Sequence, residues 1–110
     1  MTQRFPTALL LIFALLLPSA PAWAHKVNIF AYVEGKTVYT ESYFSAGKPV
    51  REGRVQVFDS NREPLLDGRT DEEGRFSFPV PKIDDLTIVI EVGMGHKNSF
   101  QLKKSALGDD

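Results

Sequence analysis

Apolar and polar residues alternate along the chain after residue 25 with a period of two, which indicates strands rather than helices. The first strand carries an apolar set on one face, namely Val27, Ile29, Ala31 and Val33. Residues 34–36 contain a glycine and form a turn signal, and residues 37–44 are rich in β-branched and aromatic side chains. These two segments are therefore predicted to form an antiparallel hairpin.

The middle of the chain continues as short strand-like segments separated by turn signals. Val50, Val55 and Val57 predict a strand that runs to residue 58. A polar cluster at residues 59–64 predicts a turn, and a short apolar segment follows it. Alternation then returns at residues 75–78.

The strongest strand signal lies in residues 86–92, which are β-branched nearly throughout. Residues 93–98 predict a turn, and residues 99–103 are expected to pair with the preceding strand. About seven short strands at this spacing predict an all-β fold, a Greek-key β-sandwich.

The first 24 residues have a different pattern, typical of a secretory signal peptide. Arg4 precedes ten apolar residues at positions 8–17, and Ala22-Trp23-Ala24 forms a small-residue cleavage site. Ten apolar residues fall well short of the roughly 20 that a membrane-spanning helix needs. We therefore expect cleavage after Ala24 and an extracytoplasmic mature chain, periplasmic or secreted, that begins at His25.

The mature chain has room for a single domain, assigned to residues 25–106, with a short polar tail at residues 107–110. The whole sequence has a formal net charge of −1, and the mature chain, which lacks Arg4, has −2. Basic and acidic residues are interspersed along it. This balance disfavours nucleic acid and anionic lipid as partners. The absence of cysteine excludes thiolate chemistry, so a bound metal would need nitrogen, oxygen or thioether ligands.

Three segments, at residues 47–50, 53–57 and 70–76, resemble the carboxypeptidase regulatory-like domain, a transthyretin-type sandwich. In this motif Thr70 and Asp71 can cap turn amides, Gly74 can take a positive φ, and Phe76 can fill the core. The resemblance implies a binding or stability module without peptidase activity. The acidic run that follows Thr70 lacks the spacing of a calcium loop and is interpreted as a solvated loop.

The two histidines are the residues best suited to chemistry. After cleavage, His25 offers a free α-amine and an imidazole, and His96 lies in Gly93-Met94-Gly95-His96. If the strand that ends at Val92 runs antiparallel to the first strand, their ends bring the two histidines together. Such a nitrogen-rich site suits Ni(II), Co(II) or Cu(II), with Met94 as a weaker third candidate. On spacing alone, the favoured interpretation is that His25 is a solvated terminus and His96 an ordinary turn residue.

Residues 25–35, 43–45 and 47–48, together with 93–96, resemble the extracytoplasmic accessory protein of energy-coupling-factor nickel/cobalt transporters. The resemblance implies Ni(II) or Co(II) as bound cargo, permease subunits as partners, and His25, His96 and Met94 as metal-site residues. Members of that family often continue into an Ala/Pro-rich linker and a C-terminal membrane helix, whereas this sequence stops at Asp110. The product is expected either to be soluble or to be part of a longer protein.

Other functions receive less support from the sequence. The main alternative is a structural or protein-interaction sandwich that binds no metal. A copper oxygenase is suggested only by the N-terminal histidine, and an 86-residue chain offers little substrate surface. Asp84 and Asp85 are interpreted as a solvated turn rather than a catalytic pair, and no nucleophile is accompanied by a plausible triad. The chain is therefore expected not to be an enzyme.

Overall fold

The computed structural model describes residues 26–108, which form two packed antiparallel sheets. The seven strands are β1 (Val27–Glu34), β2 (Thr37–Phe44), β3 (Arg54–Phe58), β4 (Pro64–Arg69), β5 (Arg75–Pro79), β6 (Leu86–Glu91) and β7 (Lys97–Leu102). A 3₁₀ helix, Lys104–Ala106, follows β7.

One sheet has the order β1-β2-β5 and the other the order β4-β3-β6-β7. The chain crosses between the sheets after β2, after β4 and after β5, as in a Greek-key sandwich. This confirms the predicted all-β fold. No α-helix occurs among residues 26–108, and no helix in that range is long and apolar enough to cross a membrane.

The predicted antiparallel β1–β2 hairpin is confirmed, with Val27 opposite Phe44 and Glu34 opposite Thr37. Its two-residue turn places Gly35 first, with φ of 63°. Glycine at this position is typical of a type II′ turn, whose twist matches that of paired strands.

The core lies between the two sheets and consists of the inward faces of the strands. Leu86, Ile88 and Ile90 of β6 are fully buried, as are Val55 and Val57 of β3. Burial of each such side chain contributes about 1.5–3 kcal/mol. The strongest sequence signal thus marks the central pair of the four-stranded sheet, since β3 and β6 pair with each other.

Several predicted boundaries are wrong, among them the start of the last strand, since β7 begins at Lys97 and not at Ser99. β3 begins at Arg54 and not at Val50, because the chain turns at Glu52, which has φ of 57°. Val50 is nevertheless buried, on the connection that precedes β3. Leu107, assigned to a polar tail, is only 2% exposed and belongs to the core cluster, so the domain extends at least to that residue.

The motif at residues 70–76 acts as predicted. The Thr70 hydroxyl is buried, accepts a hydrogen bond from the Gly53 amide (2.8 Å) and donates one to the Val50 carbonyl (2.6 Å). Asp71 accepts hydrogen bonds from the amides of Arg75 and Glu73, which lower the pKa of its carboxyl.

The glycines of this motif region also have structural roles. Gly74 has φ of 78°, and a side chain there would collide with the Ser42 carbonyl. The Phe76 ring lies against Gly68 on β4 and packs on the core. A Cβ at Gly68 would collide with this ring.

The predicted signal peptide, its cleavage after Ala24, and His25 lie outside the described residues, as do Asp109 and Asp110.

Candidate metal site

His96 closes the loop between β6 and β7. The Val92 amide donates a hydrogen bond to the His96 carbonyl, and the His96 amide donates one to the Gly93 carbonyl, each at 3.0 Å. Gly93, Met94 and Gly95 have φ of 95°, 55° and 80°. Three successive positive φ angles explain the two glycines, since residues with a side chain rarely adopt this conformation. The loop holds His96 half-buried immediately before β7.

Met94 is the tip of this loop and its side chain is 93% exposed. It therefore covers none of the described residues as a hydrophobic lid would. Its thioether is instead exposed to solvent.

β1 and β7 lie side by side at the seam between the two sheets. The Asn98 carboxamide of β7 donates a hydrogen bond of 2.9 Å to the Val27 carbonyl of β1. Further along, the rings of Phe30 and Phe100 meet edge to face, with centroids 5.6 Å apart. Contacts in this order mean that the two strands run in the same direction and begin at the same end of the sandwich. That end, where β1 starts at Val27 and β7 starts at Lys97, is called the His96 end below.

The sequence-based argument for a shared histidine site assumed that the strand ending at Val92 runs antiparallel to the first strand. β6 does run antiparallel to β7 and hence to β1, but β7 is the strand that lies beside the start of β1. The starts of β1 and β7 are joined by the hydrogen bond from Asn98, whose role the sequence did not indicate.

Of the three proposed metal-site residues, the structure places His96 and Met94 on one loop. His25 lies outside the described range. Within residues 26–108, no group of three or more His, Cys, Asp or Glu side chains could hold a metal ion. A site at this end would therefore depend on the donors of His25 together with His96.

The His96 end also carries a groove of about 590 Å³ that sequence reasoning missed. Its lining includes Arg51, Arg54 and Arg69, and it reaches Gly93 of the His96 loop. Arg54 lies opposite Arg69 on one side and Glu91 on the other. These residues are far apart in sequence, so only the pairing of three strands brings them together.

The acidic residues at the opposite end of the sandwich tie loops together. Asp59 is buried and accepts hydrogen bonds from Lys82 Nζ (2.7 Å) and from the amides of Glu63 and Asn61. The bond from Lys82, followed by those from the amides, lowers the pKa of the Asp59 carboxyl.

Asp84 and Asp85 are half-buried rather than the solvated turn that we expected. Asp84 accepts hydrogen bonds from the amide and the hydroxyl of Ser60, and Asp85 accepts one from the Lys104 amide. The two carboxylates bind different loops.

The chain was compared with family models, solved structures and curated proteins. No family model matches it, and no solved structure matches it. A protein of Haemophilus influenzae, described as an uncharacterized protein, is 33% identical over an alignment of 100 residues, and the match covers 88% of this chain. The chain spans 61% of the length of that curated relative.

Proposed function

We propose that the chain is a non-enzymatic, extracytoplasmic metal-binding accessory component of a nickel/cobalt uptake system. Ni(II) or Co(II) is its cargo, and the permease subunits of the transporter are its partners. His25 supplies the α-amine and an imidazole nitrogen, and His96 supplies a second imidazole. The proposal is supported by the sequence resemblance and, above all, by the hydrogen bond between Asn98 and Val27.

That hydrogen bond bears on the histidines through simple chain geometry. His96 precedes Asn98 by two residues, and His25 precedes Val27 by two residues. Two residues of chain reach at most about 7 Å, which limits how far each histidine can lie from this contact. Since β1 and β7 run in the same direction, equal steps back along both strands lead toward the same end.

The donor set suits the proposed cargo. An α-amine and two imidazoles are borderline nitrogen ligands, which bind Ni(II), Co(II) and Cu(II) well. The α-amino group has a pKa of about 7.7–8.0, so it loses its proton to a metal near neutral pH. Metal affinity should therefore increase as the pH rises from 6 to 8, with release of protons on binding.

The test is calorimetric titration of Ni(II) into the exported protein. Replacing His96 with Gln, or adding one Met before His25, should each lower the affinity roughly tenfold or more, because each removes a nitrogen donor. Lys97→Gln is the matched control, since it changes the neighbour of His96 and removes no ligand. Unchanged affinity in both altered proteins would exclude the two histidines as a shared site.

A second candidate function is a protein-interaction module that binds no metal, which the outer face of the three-stranded sheet supports. Phe30, Tyr32 and Tyr43 are 48%, 38% and 42% exposed on this face. Co-purification with the permease subunits distinguishes the two functions. Under this alternative, Phe30→Ser abolishes co-purification, while His96→Gln leaves both co-purification and nickel uptake unchanged.

A further inference from the structure

The groove at the His96 end has the features of a binding site for a small anion. It is open to solvent between the start of β3, the end of β4 and the loop after β6. The lining residues, which we call the guanidinium groove, are Phe44, Pro49, Val50, Arg51, Glu52, Gly53, Arg54, Arg69, Glu91, Val92 and Gly93.

The floor of the guanidinium groove is fixed by the buried Thr70. Its hydroxyl bonds to both the Val50 carbonyl and the Gly53 amide, and its own amide and carbonyl bond to Gly53 and Glu52. Four hydrogen bonds thus hold the segment between Val50 and Gly53. A groove built on such a segment loses little freedom when a ligand binds, which favours affinity.

The three arginines differ in how they are paired. Arg54 is engaged by Asp67, which accepts from both Nε (3.2 Å) and Nη2 (2.8 Å). Arg69 donates to a backbone carbonyl, that of Glu52, at 2.9 Å; it forms no ion pair within residues 26–108, and its charge contributes to lowering the pKa of the nearby Asp67 carboxyl. Arg51 is exposed and forms no ion pair within the described part of the chain. Two guanidinium groups are therefore available to a ligand.

The strand register places two of these like charges side by side. Arg54 and Arg69 are direct cross-strand partners, and like charges in that relation destabilise a sheet. Asp67 forms its ion pair with Arg54, and Glu91 lies opposite Arg54 on the other side, so Arg69 is the less compensated of the two arginines. A ligand carboxylate at Arg69 would reduce the remaining repulsion.

The chemistry of the walls selects among anions. In the ion pair between Arg54 and Asp67, two nitrogens of the guanidinium donate to one carboxylate, which is the geometry that arginine favours. Phe44, Pro49 and Val92 line the same groove and suit a carbon skeleton.

We infer that the guanidinium groove binds a small organic dicarboxylate, with one carboxylate on Arg51 and the other on Arg69. The carbon skeleton lies against the apolar wall, and Arg54 contributes positive potential while it remains bonded to Asp67. This binding does not require a metal ion, so it stands or falls separately from the proposed function.

The test is a titration of succinate, without metal, into the ¹⁵N-labelled protein, followed by NMR. We expect saturable shifts of the backbone amides of Arg51, Gly53 and Gly93. Arg51→Gln should weaken binding roughly tenfold or more, since it removes a charge-assisted contact to the carboxylate. Arg51 makes no ion pair that folding needs, so this variant tests binding rather than stability.

Three comparisons make the result decisive. Arg62→Gln, which removes a guanidinium from the turn between β3 and β4 at the opposite end, should leave the affinity unchanged. Succinamide, the uncharged analogue, should not bind, and inorganic phosphate should bind more weakly than succinate. The inference is overturned if Arg51→Gln binds succinate normally, if succinamide binds equally well, or if phosphate binds as tightly as succinate.

Discussion

The Asn98 carboxamide and the Val27 carbonyl, 71 residues apart in sequence, are joined by a hydrogen bond of 2.9 Å across the seam of the sandwich. This contact fixes the start of β1 beside the start of β7. It links two strands that belong to different sheets, where no ladder of backbone hydrogen bonds does so.

Replacing Asn98 with Ala should lower the free energy of unfolding by about 0.5–1.5 kcal/mol, the usual contribution of one hydrogen bond. The start of β1 should also become less protected, which hydrogen exchange of the Asn28 and Ile29 amides measures. Nickel affinity should fall as well, because the two histidine-bearing segments are no longer held together. Ser99→Ala, which alters the next residue on the outer side of β7, serves as the control.

The fold could be predicted where local pattern decides it. Alternation and Gly35 determine the β1–β2 hairpin, and the β-branched run in β6 marks the middle of the core. The start of β3 could not be predicted, because the break at Glu52 depends on the hydroxyl of Thr70, on another strand connection. Local periodicity contains no information about such a bond.

The candidate site was predicted only as far as local signals reach. The glycines around Met94 indicate the loop that carries His96. The approach of β1 to β7 depends on Asn98, and the guanidinium groove depends on the pairing of β3 with both β4 and β6. The contact between β1 and β7 and the groove both depend on how distant strands are arranged, and no short sequence pattern indicates that arrangement.

Thr70 should be the most sensitive polar residue in the core. Thr70→Val preserves shape but leaves the Gly53 amide and the Val50 carbonyl without their partner, and each buried unpaired group costs about 1–3 kcal/mol. Thr70→Ser retains the hydroxyl and should lose much less. Urea unfolding of the two variants measures the difference, and equal stabilities would show that water replaces the hydroxyl.

Two hydroxyls on the inner face of β2 should respond in opposite ways. Thr40 is buried and donates a hydrogen bond of 2.8 Å to the Phe76 carbonyl, whereas the Ser42 hydroxyl is buried with no partner in the described structure. Thr40→Val should therefore destabilise the protein by about 1–3 kcal/mol. Ser42→Ala should be neutral or stabilising, because it removes an unpaired polar group. Thermal unfolding of the two variants, side by side, tests the contrast.

Acid should remove the stabilisation that comes from Asp59. Its carboxyl is held ionised by Lys82 and by two backbone amides, so its pKa in the folded protein lies below the ordinary value of 3.8. A depressed carboxyl pKa stabilises the fold at pH values above 3.8, and this contribution is lost as the pH falls through the lower, folded-state value. Asp59→Asn should therefore be less stable than the natural protein at pH 6, and the difference should shrink toward pH 2. Urea unfolding across this range, with Glu72→Gln from an exposed loop as the control, measures the effect. A difference that stays constant with pH would mean that Asp59 acts through its shape and hydrogen bonds and not through its charge.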